Sequence, residues 1–501
     1  MEEIVARVGK NLAELRQNFR SGRTRGLEWR KTQLRAILKL VAENEDEIFE
    51  ALNRDLGKHP AEAYRDETSS SNYITESSCL GLLSSFLPRF MAEAATVVLV
   101  GKLPLLLFPA KAEVLPEPLG VVLIFASWNF PISLALDPLI GAISAGNTVV
   151  VKPSELAPAC SSFLARIVPL YLDNKAIKVV EGGSDVAEKL LEQKWDKIFF
   201  TGSARVGRII MSAAAKHLTP VTLELGGKCP IILDSLSGSD LKVAVKRISG
   251  GKWGACAGQA CIGIDYVLVQ QKLAPVLVEL LKKCIKTFYG ENVKNLNSIC
   301  RIVNKNHFER VCNLLEDPGV AASIVYGGSF DKQNLLIEPT ILLDPPLDAD
   351  IMTEEIFGPV LPIITLNEVE ESIEFINARP KPLAIYVFTK NKTFKEKVLQ
   401  ETSSGSVIFN DTMIQFICDG LPFGGVGQSG FGRYHGKYSF DTFSHEKAIL
   451  KRSFFLELEP RYPPWNGFKL EFIRLAYNFD YIRLLLLLLG LRRRYTSRIV
   501  I

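Results

Sequence analysis

The sequence has little of what marks several common protein classes. Its nine cysteines are an odd number scattered over 501 residues, and no CxxC pair occurs. A disulfide scaffold and a zinc ribbon are both disfavoured by that, and a reducing compartment is expected. The five histidines (His59, His217, His307, His435 and His445) show no metal-ligand spacing, so no metal is expected. A formal net charge of +4 is too small for this length to point to nucleic acid. The apolar run of the tail, Leu484 to Leu491, is far shorter than the roughly 20 residues that a bilayer span needs. Met1 to Arg20 carries Glu2, Glu3 and Glu14 and no apolar h-region, which argues against a secretory signal and an organellar transit peptide. No internal repeat is visible.

What remains is a soluble globular composition, 47% hydrophobic and 23% charged, with enough length for two or three domains. The charge is uneven. From Pro460 onward eight Arg and Lys face two acids, a tail of +6, which leaves the body at about −2. Ile4, Val8, Leu12, Leu15 and Phe19 recur at helical spacing. Trp29, Leu34, Ile37, Leu38 and Val41 form a second stripe that Ile48 and Leu52 extend, and Gly57 and Pro60 end it. A helix is predicted from Ala61 towards Leu87. Short apolar runs at Thr96–Val100 and Leu105–Phe108, broken by Gly101, Lys102 and Pro104, predict a strand pair on an arm.

From Gly120 strand and helix alternate. Strands are predicted at Val121–Ala126, Thr148–Lys152, Ile177–Val180, Lys197–Phe200 and Val221–Leu225. Helices are predicted at Pro131–Ala145, Leu156–Tyr171, Asp185–Gln193 and Val206–Lys216. Apolar strands separated by helices mean a parallel sheet covered on both faces, with ligands at its carboxyl edge. After Gly226-Gly227 a second such series runs to about Phe431. The fold class is therefore α/β with two parallel-sheet domains.

Candidate chemistry lies at several strand ends, each with a plainer reading beside it. Phe200-Thr201-Gly202-Ser203-Ala204-Arg205-Val206-Gly207 hands a strand over to a helix, where phosphate is favoured. It is not GxGxxG, and an ordinary strand–helix turn is the alternative. Lys152-Pro153-Ser154-Glu155 pairs a cation and an acid suited to ribose hydroxyls; the alternative is a solvated loop with Ser154 capping a helix. Glu224 sits in an apolar strand end, where burial raises a carboxyl towards general-base use, unless a nearby Lys pairs with it. Asn129 ends a strand, and its amide suits an oxyanion or else caps the helix from Pro131. Gly258-Gln259-Ala260-Cys261 offers a thiol in a compact loop. Cys256 and Cys229 are its rivals, and a buried structural cysteine is the common case for each.

Taken in order, these motifs resemble the aldehyde dehydrogenase superfamily, nearest its class 3 and fatty aldehyde branch, in a plant form. The resemblance covers about residues 1 to 450. It is carried by Phe125–Pro131, Lys152–Glu155, Phe200–Ser203, Leu223–Lys228, Gly258–Cys261, Glu354-Glu355-Ile356-Phe357-Gly358-Pro359 and Leu421-Pro422-Phe423-Gly424-Gly425-Val426-Gly427.

The resemblance implies that Cys261 is the nucleophile, Glu224 the general base and Asn129 an oxyanion donor beside the backbone N–H of Cys261. It implies that Lys152 and Glu155 hold the adenosine ribose. Thr201, Gly202, Ser203 and Gly207 would form the pyrophosphate turn, Glu355 would bind the nicotinamide ribose and Phe357 would pack near the ring. Two departures touch the loop. Cys229 replaces a small hydroxyl residue, and Ala257 and Ala260 replace the usual neighbours of the nucleophile.

The implied domains are a dinucleotide-binding domain (1–94 and 117–227), a catalytic domain (228–432), an oligomerisation arm (95–116 and 433–457) and a basic, apolar tail (458–501). A strand over Phe440–Leu450 is expected to join the arm and support a homodimer. The implied reaction is oxidation of medium- to long-chain or lipid-derived aldehydes to acids, with NAD first and NADP second, since Glu155 repels a 2′-phosphate. A CoA-acylating enzyme and a silent cofactor-binding protein are the alternatives. Cytoplasmic residence is expected. Residues 468–498 give either a membrane-surface segment, on the endoplasmic reticulum or another membrane, or a helix folded over the entrance or the partner subunit.

Overall fold

The computed structural model describes residues 2–68, 103–290, 299–418 and 420–491. The first stripe is a helix, Glu2–Arg20, which buries Val8, Leu12 and Leu15. The second splits into Leu27–Glu43 and Glu45–Leu56, and Gly57 ends it in the left-handed region that a Cβ would disfavour. A four-residue helix, Pro60–Ala63, follows, and it widens into a π-turn at Tyr64–Thr68. The rest of the predicted Ala61–Leu87 helix, and the strand Thr96–Val100, lie outside the described residues.

Six strands form the first sheet, in the order Gly430–Phe431, Val221–Leu225, Lys197–Gly202, Val121–Phe125, Thr148–Lys152, Ile177–Val179. All neighbours are parallel except the first pair. Helices Ser133–Ala145, Pro158–Tyr171, Ser184–Leu191 and Ala204–Ala215 connect these strands, starting up to two residues from their predicted places. The chain runs outward from Val121–Phe125 on one side and returns on the other. The reversal point of the sheet is therefore between Phe125 and Phe200, which pair in register.

Seven strands form the second sheet, in the order Ser406–Phe409, Ala384–Phe388, Cys229–Leu233, Ile264–Gln270, Val360–Leu366, Thr340–Leu343, Ile324–Tyr326. Its inner strands Cys229–Leu233, Ile264–Gln270 and Ala384–Phe388 are buried along their whole length because both faces are covered. Both sheets belong to one compact unit, built from the described residues up to 68 and from 118 to 444.

Residues 103–117 and 445–491 form a second unit. Its strands are Lys111–Pro118 and Ser444–Lys451, paired as a two-stranded sheet. The predicted strand at Leu105–Phe108 is instead a 3₁₀ turn, Leu105–Leu107. Pro104 and Pro109 bracket it, and Leu106 is buried against Phe472, Leu475 and Leu484 of the tail. A short all-leucine run has no period by which to tell strand from turn. The predicted strand Phe440–Leu450 likewise divides, because Gly436–Thr442 is helical and the strand begins at Ser444.

Candidate active site

Parallel register sets four functional segments side by side. Phe125 pairs with Lys152 on one side and with Phe200 on the other, and Thr201 pairs with Glu224. The loops that follow these strands therefore open on the same carboxyl edge. They carry Asn129, Lys152 to Glu155, Gly202-Ser203 and Gly226-Gly227.

At the first, Lys152 is 4% exposed and donates to Glu155 Oε2 at 2.8 Å, while Glu155 itself reaches solvent. Ser154 does not cap the helix. That helix starts later, at Pro158, and Asp55 accepts from the Ala159 and Cys160 N–H groups at 3.0 and 2.8 Å. The exposed Glu155 carboxylate is thus left for a ligand rather than for a helix end. At the second, Ser203 caps the helix Ala204–Ala215 through Val206 N–H. Gly202 leaves no room for a side chain, since a Cβ would stand 2.5 Å from the Phe200 ring. Gly207 lets the helix approach Leu225 closely. Thr201 Oγ1 is buried without a hydrogen-bond partner among the described residues. An orphaned hydroxyl and a helix N-terminus at one tight turn fit a phosphate-bearing ligand.

Glu355 reaches the same edge from the second sheet and accepts from Gly227 N–H at 3.1 Å. A Cβ on Gly226 would lie 2.2 Å from its Oε2, so the glycine is what admits the carboxylate. Burial, with Asp265 adding to it, lifts the Glu355 carboxyl to about 8. Phe357 takes a left-handed φ of 48° and meets the Trp128 ring edge-on at 5.3 Å.

The loop that carries Cys261 folds tightly between the helix Gly238–Trp253 and the strand Ile264–Gln270. Cys256 and Ala257 both have φ near 50°, a costly backbone for residues with a Cβ. Gly258 packs so close to Gly358 that a Cβ would stand 2.5 Å from its carbonyl. The three thiols differ in setting. Cys229 and Cys256 are fully buried, whereas Cys261 lines a cavity of about 310 Å³. Phe130, Leu134, Ile262, Met413 and Phe416 make that cavity largely apolar, with Arg65, Asp66 and Arg247 also on its wall. Burial, followed by the charges of Glu355 and Glu224, pushes the Cys261 thiol up to about 12, while the backbone N–H groups of Ile262 and Cys261 favour its thiolate. Cys229 Sγ donates to the Cys261 carbonyl at 3.4 Å, so it supplies a donor as a hydroxyl would.

Glu224 is buried, and neither of its oxygens has a hydrogen-bond partner among the described residues. The lysine-paired alternative is not what the structure shows. Burial alone raises its carboxyl well above the usual carboxylate range. Asn129 does not cap the helix either; Glu67 accepts from Ile132 and Ser133 N–H instead. One amide N–H of Asn129 goes to the Gln259 carbonyl at 2.9 Å. Gln259 in turn fixes the loop by bonding the Cys256 and Arg301 carbonyls and Val303 N–H. Gln259 carried no signal in the sequence beyond standing beside the cysteine. No His, Cys, Asp or Glu cluster able to hold a metal is present among the described residues.

Glu224 and Glu355 thus lie close enough to Cys261 to act on its thiol, and the Asn129 amide is bound to the same loop through Gln259. Residues 5–449 match the family model described as Aldehyde dehydrogenase family. Aldehyde dehydrogenase family 3 member F1 of Arabidopsis thaliana is 59% identical over 494 residues, covering 98% of this chain and all of that protein. Aldehyde dehydrogenase family 3 member A2 of Rattus norvegicus is 45% identical and covers 96% of each chain. The substrate-bound state of Staphylococcus aureus AldH superposes with a TM-score of 0.86 at 40% identity, over 94% of this chain and 99% of that one. The chain belongs to the aldehyde dehydrogenase family, in its class 3 branch, and is an aldehyde-oxidising enzyme of the NAD(P) type.

Proposed function

We propose that the chain oxidises medium- to long-chain aliphatic or lipid-derived aldehydes to carboxylic acids, with Cys261 as nucleophile. The observation that carries this reading is the Cys261 thiol on the wall of an apolar cavity, under the charge of a buried Glu224 that has no hydrogen-bond partner among the described residues. The Cys261 thiolate, its proton lost to solvent, adds to the aldehyde carbon, and Asn129 with the Cys261 N–H steadies the oxyanion. One such donor is typically worth about 3 kcal/mol in the barrier. A nicotinamide held beside Glu355 and Phe357 would supply the hydride acceptor that turns this adduct into a thioester. Glu224 then takes a proton from water, which attacks the thioester and frees the acid and the thiol. Water rather than CoA as acceptor follows from that unpaired base.

Lys152, Glu155, Thr201, Gly202, Ser203, Gly207, Glu355 and Phe357 would hold the cofactor. An exposed Glu155 ranks NAD above NADP, since it accepts from ribose hydroxyls and repels a 2′-phosphate. A homodimer is proposed because a two-stranded sheet has little stability alone and leaves edges to be paired. Residence in the cytoplasm with the tail on a membrane surface completes the reading.

The test is NADH or NADPH formation over a series of aldehyde chain lengths, without CoA, for the wild type and Cys261→Ala. The wild type should form acid, with longer chains preferred and NAD above NADP. Cys261→Ala should lose at least a thousandfold in kcat while still binding NAD. Turnover by that variant would move the nucleophile elsewhere, with Cys256 next.

A further inference from the structure

Lys58 and Glu67 are charged side chains with no exposed surface at all, paired at 2.5 Å. Burying such a pair is costly unless further hydrogen bonds complete it. Here they do, and several of those partners belong to one short segment, residues 129–133. Lys58 Nζ donates to the Asn129 carbonyl at 2.9 Å and lies 4.1 Å from the Phe130 ring centroid. The second oxygen of Glu67 accepts from Ile132 and Ser133 N–H at 3.2 and 3.0 Å. The helix that begins at Ser133 has no cap of its own. The pair therefore grips residues 129–133 at both ends. The π-turn Tyr64–Thr68 is what brings Glu67 inward, and such turns recur at functional sites.

From the other side, the Asn129 amide bonds Gln259, and the Cys256 thiol donates to the Asn129 carbonyl at 3.5 Å. Main chain and side chain of Asn129 are thus fixed from opposite directions, which leaves one amide N–H to aim at a substrate oxygen. We infer that Lys58 and Glu67 are positioning residues for the oxidation: they set the Asn129 amide against the carbon attacked by Cys261. The inference rests on the proposed oxyanion role of Asn129. An oxyanion donor acts only within a few tenths of an ångström of its proper place, so a loosened carbonyl anchor costs rate and not binding.

The experiment is a pre-steady-state NADH burst with hexanal and NAD in a double-mutant cycle. Lys58→Met with Glu67→Gln removes both charges at nearly constant volume, so the fold is not left with a lone buried ion. Lys58→Gln with Glu67→Gln serves as the second variant and restores an N–H donor. Expected are an unchanged dissociation constant for NAD, an aldehyde KM within twofold, and a burst slowed about tenfold or more in the Met variant. The Gln variant should recover part of that rate. In an Asn129→Ala background, the same substitutions should slow the burst no further. A full-rate burst in the Met variant, or an equal loss with and without Asn129, overturns the positioning role and leaves the oxyanion reading intact. A wild-type burst from Asn129→Ala alone overturns that reading instead.

Discussion

Glu224 holds a carboxyl that burial lifts well above its ordinary range, and among the described residues no hydrogen-bond donor pulls it back. The sign of its pH effect follows. A base must be ionised, so below the raised value Glu224 carries a proton and hydrolysis of the thioester stalls. Turnover should rise with pH through that value, and the rise should vanish in Glu224→Gln. That variant should give a normal burst of NADH and then turn over roughly a hundred- to ten-thousandfold more slowly. Stopped-flow traces across pH 6 to about 10 separate the two phases, and an unchanged second phase would remove Glu224 from the chemistry. The burial of this residue was legible from Leu223 and Leu225 on either side of it. Its lack of a partner was not, because the strand beside it comes from Gly430–Phe431, far along the chain. Lys58 and Glu67 were illegible for a related reason. Neither carries a local signal: Lys58 stands in the break between Leu56 and Pro60, and Glu67 is taken inside by the turn at Tyr64–Thr68. The thiol was legible by company alone, since Cys229, Cys256 and Cys261 differ in setting but not in any local sequence signal.

Among the elements, the strand Gly430–Phe431 is only two residues long and stands against Glu224, the proposed general base. Gly430 pairs with Glu224 and has a φ of 119°, where side chains are strained; a Cβ would lie 2.0 Å from the Leu223 carbonyl. Gly430→Ala must therefore push the strand off its neighbour. A stability loss of about 1–3 kcal/mol is expected, together with loss of turnover, read as a lower urea midpoint and a smaller kcat. Gly9→Ala is the control, as it lies inside the helix Glu2–Arg20 with nothing within 4 Å of its Cβ. It should gain roughly 0.5–1 kcal/mol and leave kcat alone. Equal effects from the two would refute the packing argument. Short apolar strands set off by helical stretches on either side, such as Thr148–Lys152 and Val221–Leu225, appear at the residues the sequence predicts. Leu105–Leu107 departs because a run of identical apolar residues takes its shape from the tail it packs on, and long-range contacts decide it.

The tail raises a question for the whole molecule. Helices Gly467–Tyr477 and Tyr481–Leu488 bury Phe472, Leu475, Leu484 and Leu487 together with Leu106. The other side of the second helix leaves Ile482 at 76% and Leu485 at 57% exposed, and Leu489 and Leu491 beyond it at 61% and 71%. No helix among the described residues is long and apolar enough to cross a membrane. Arg483 borders the apolar side, and Arg492 to Arg494, which lie outside the described residues, follow it directly. An apolar stripe rimmed by cations suits an anionic lipid surface, where each basic residue adds about 1 kcal/mol and salt weakens the attraction. Leu485→Glu with Leu489→Glu spares the buried residues, so the fold should persist. Losing two inserted leucines removes roughly 3 kcal/mol, and partition into vesicles should fall about a hundredfold. The wild type should co-sediment with vesicles rich in phosphatidylserine, less so at high salt, and the double variant should stay in the supernatant with its aldehyde activity intact. A wild type that ignores such vesicles, or a variant that binds them as well, excludes the membrane role. The exposed leucines would then belong to another surface of protein.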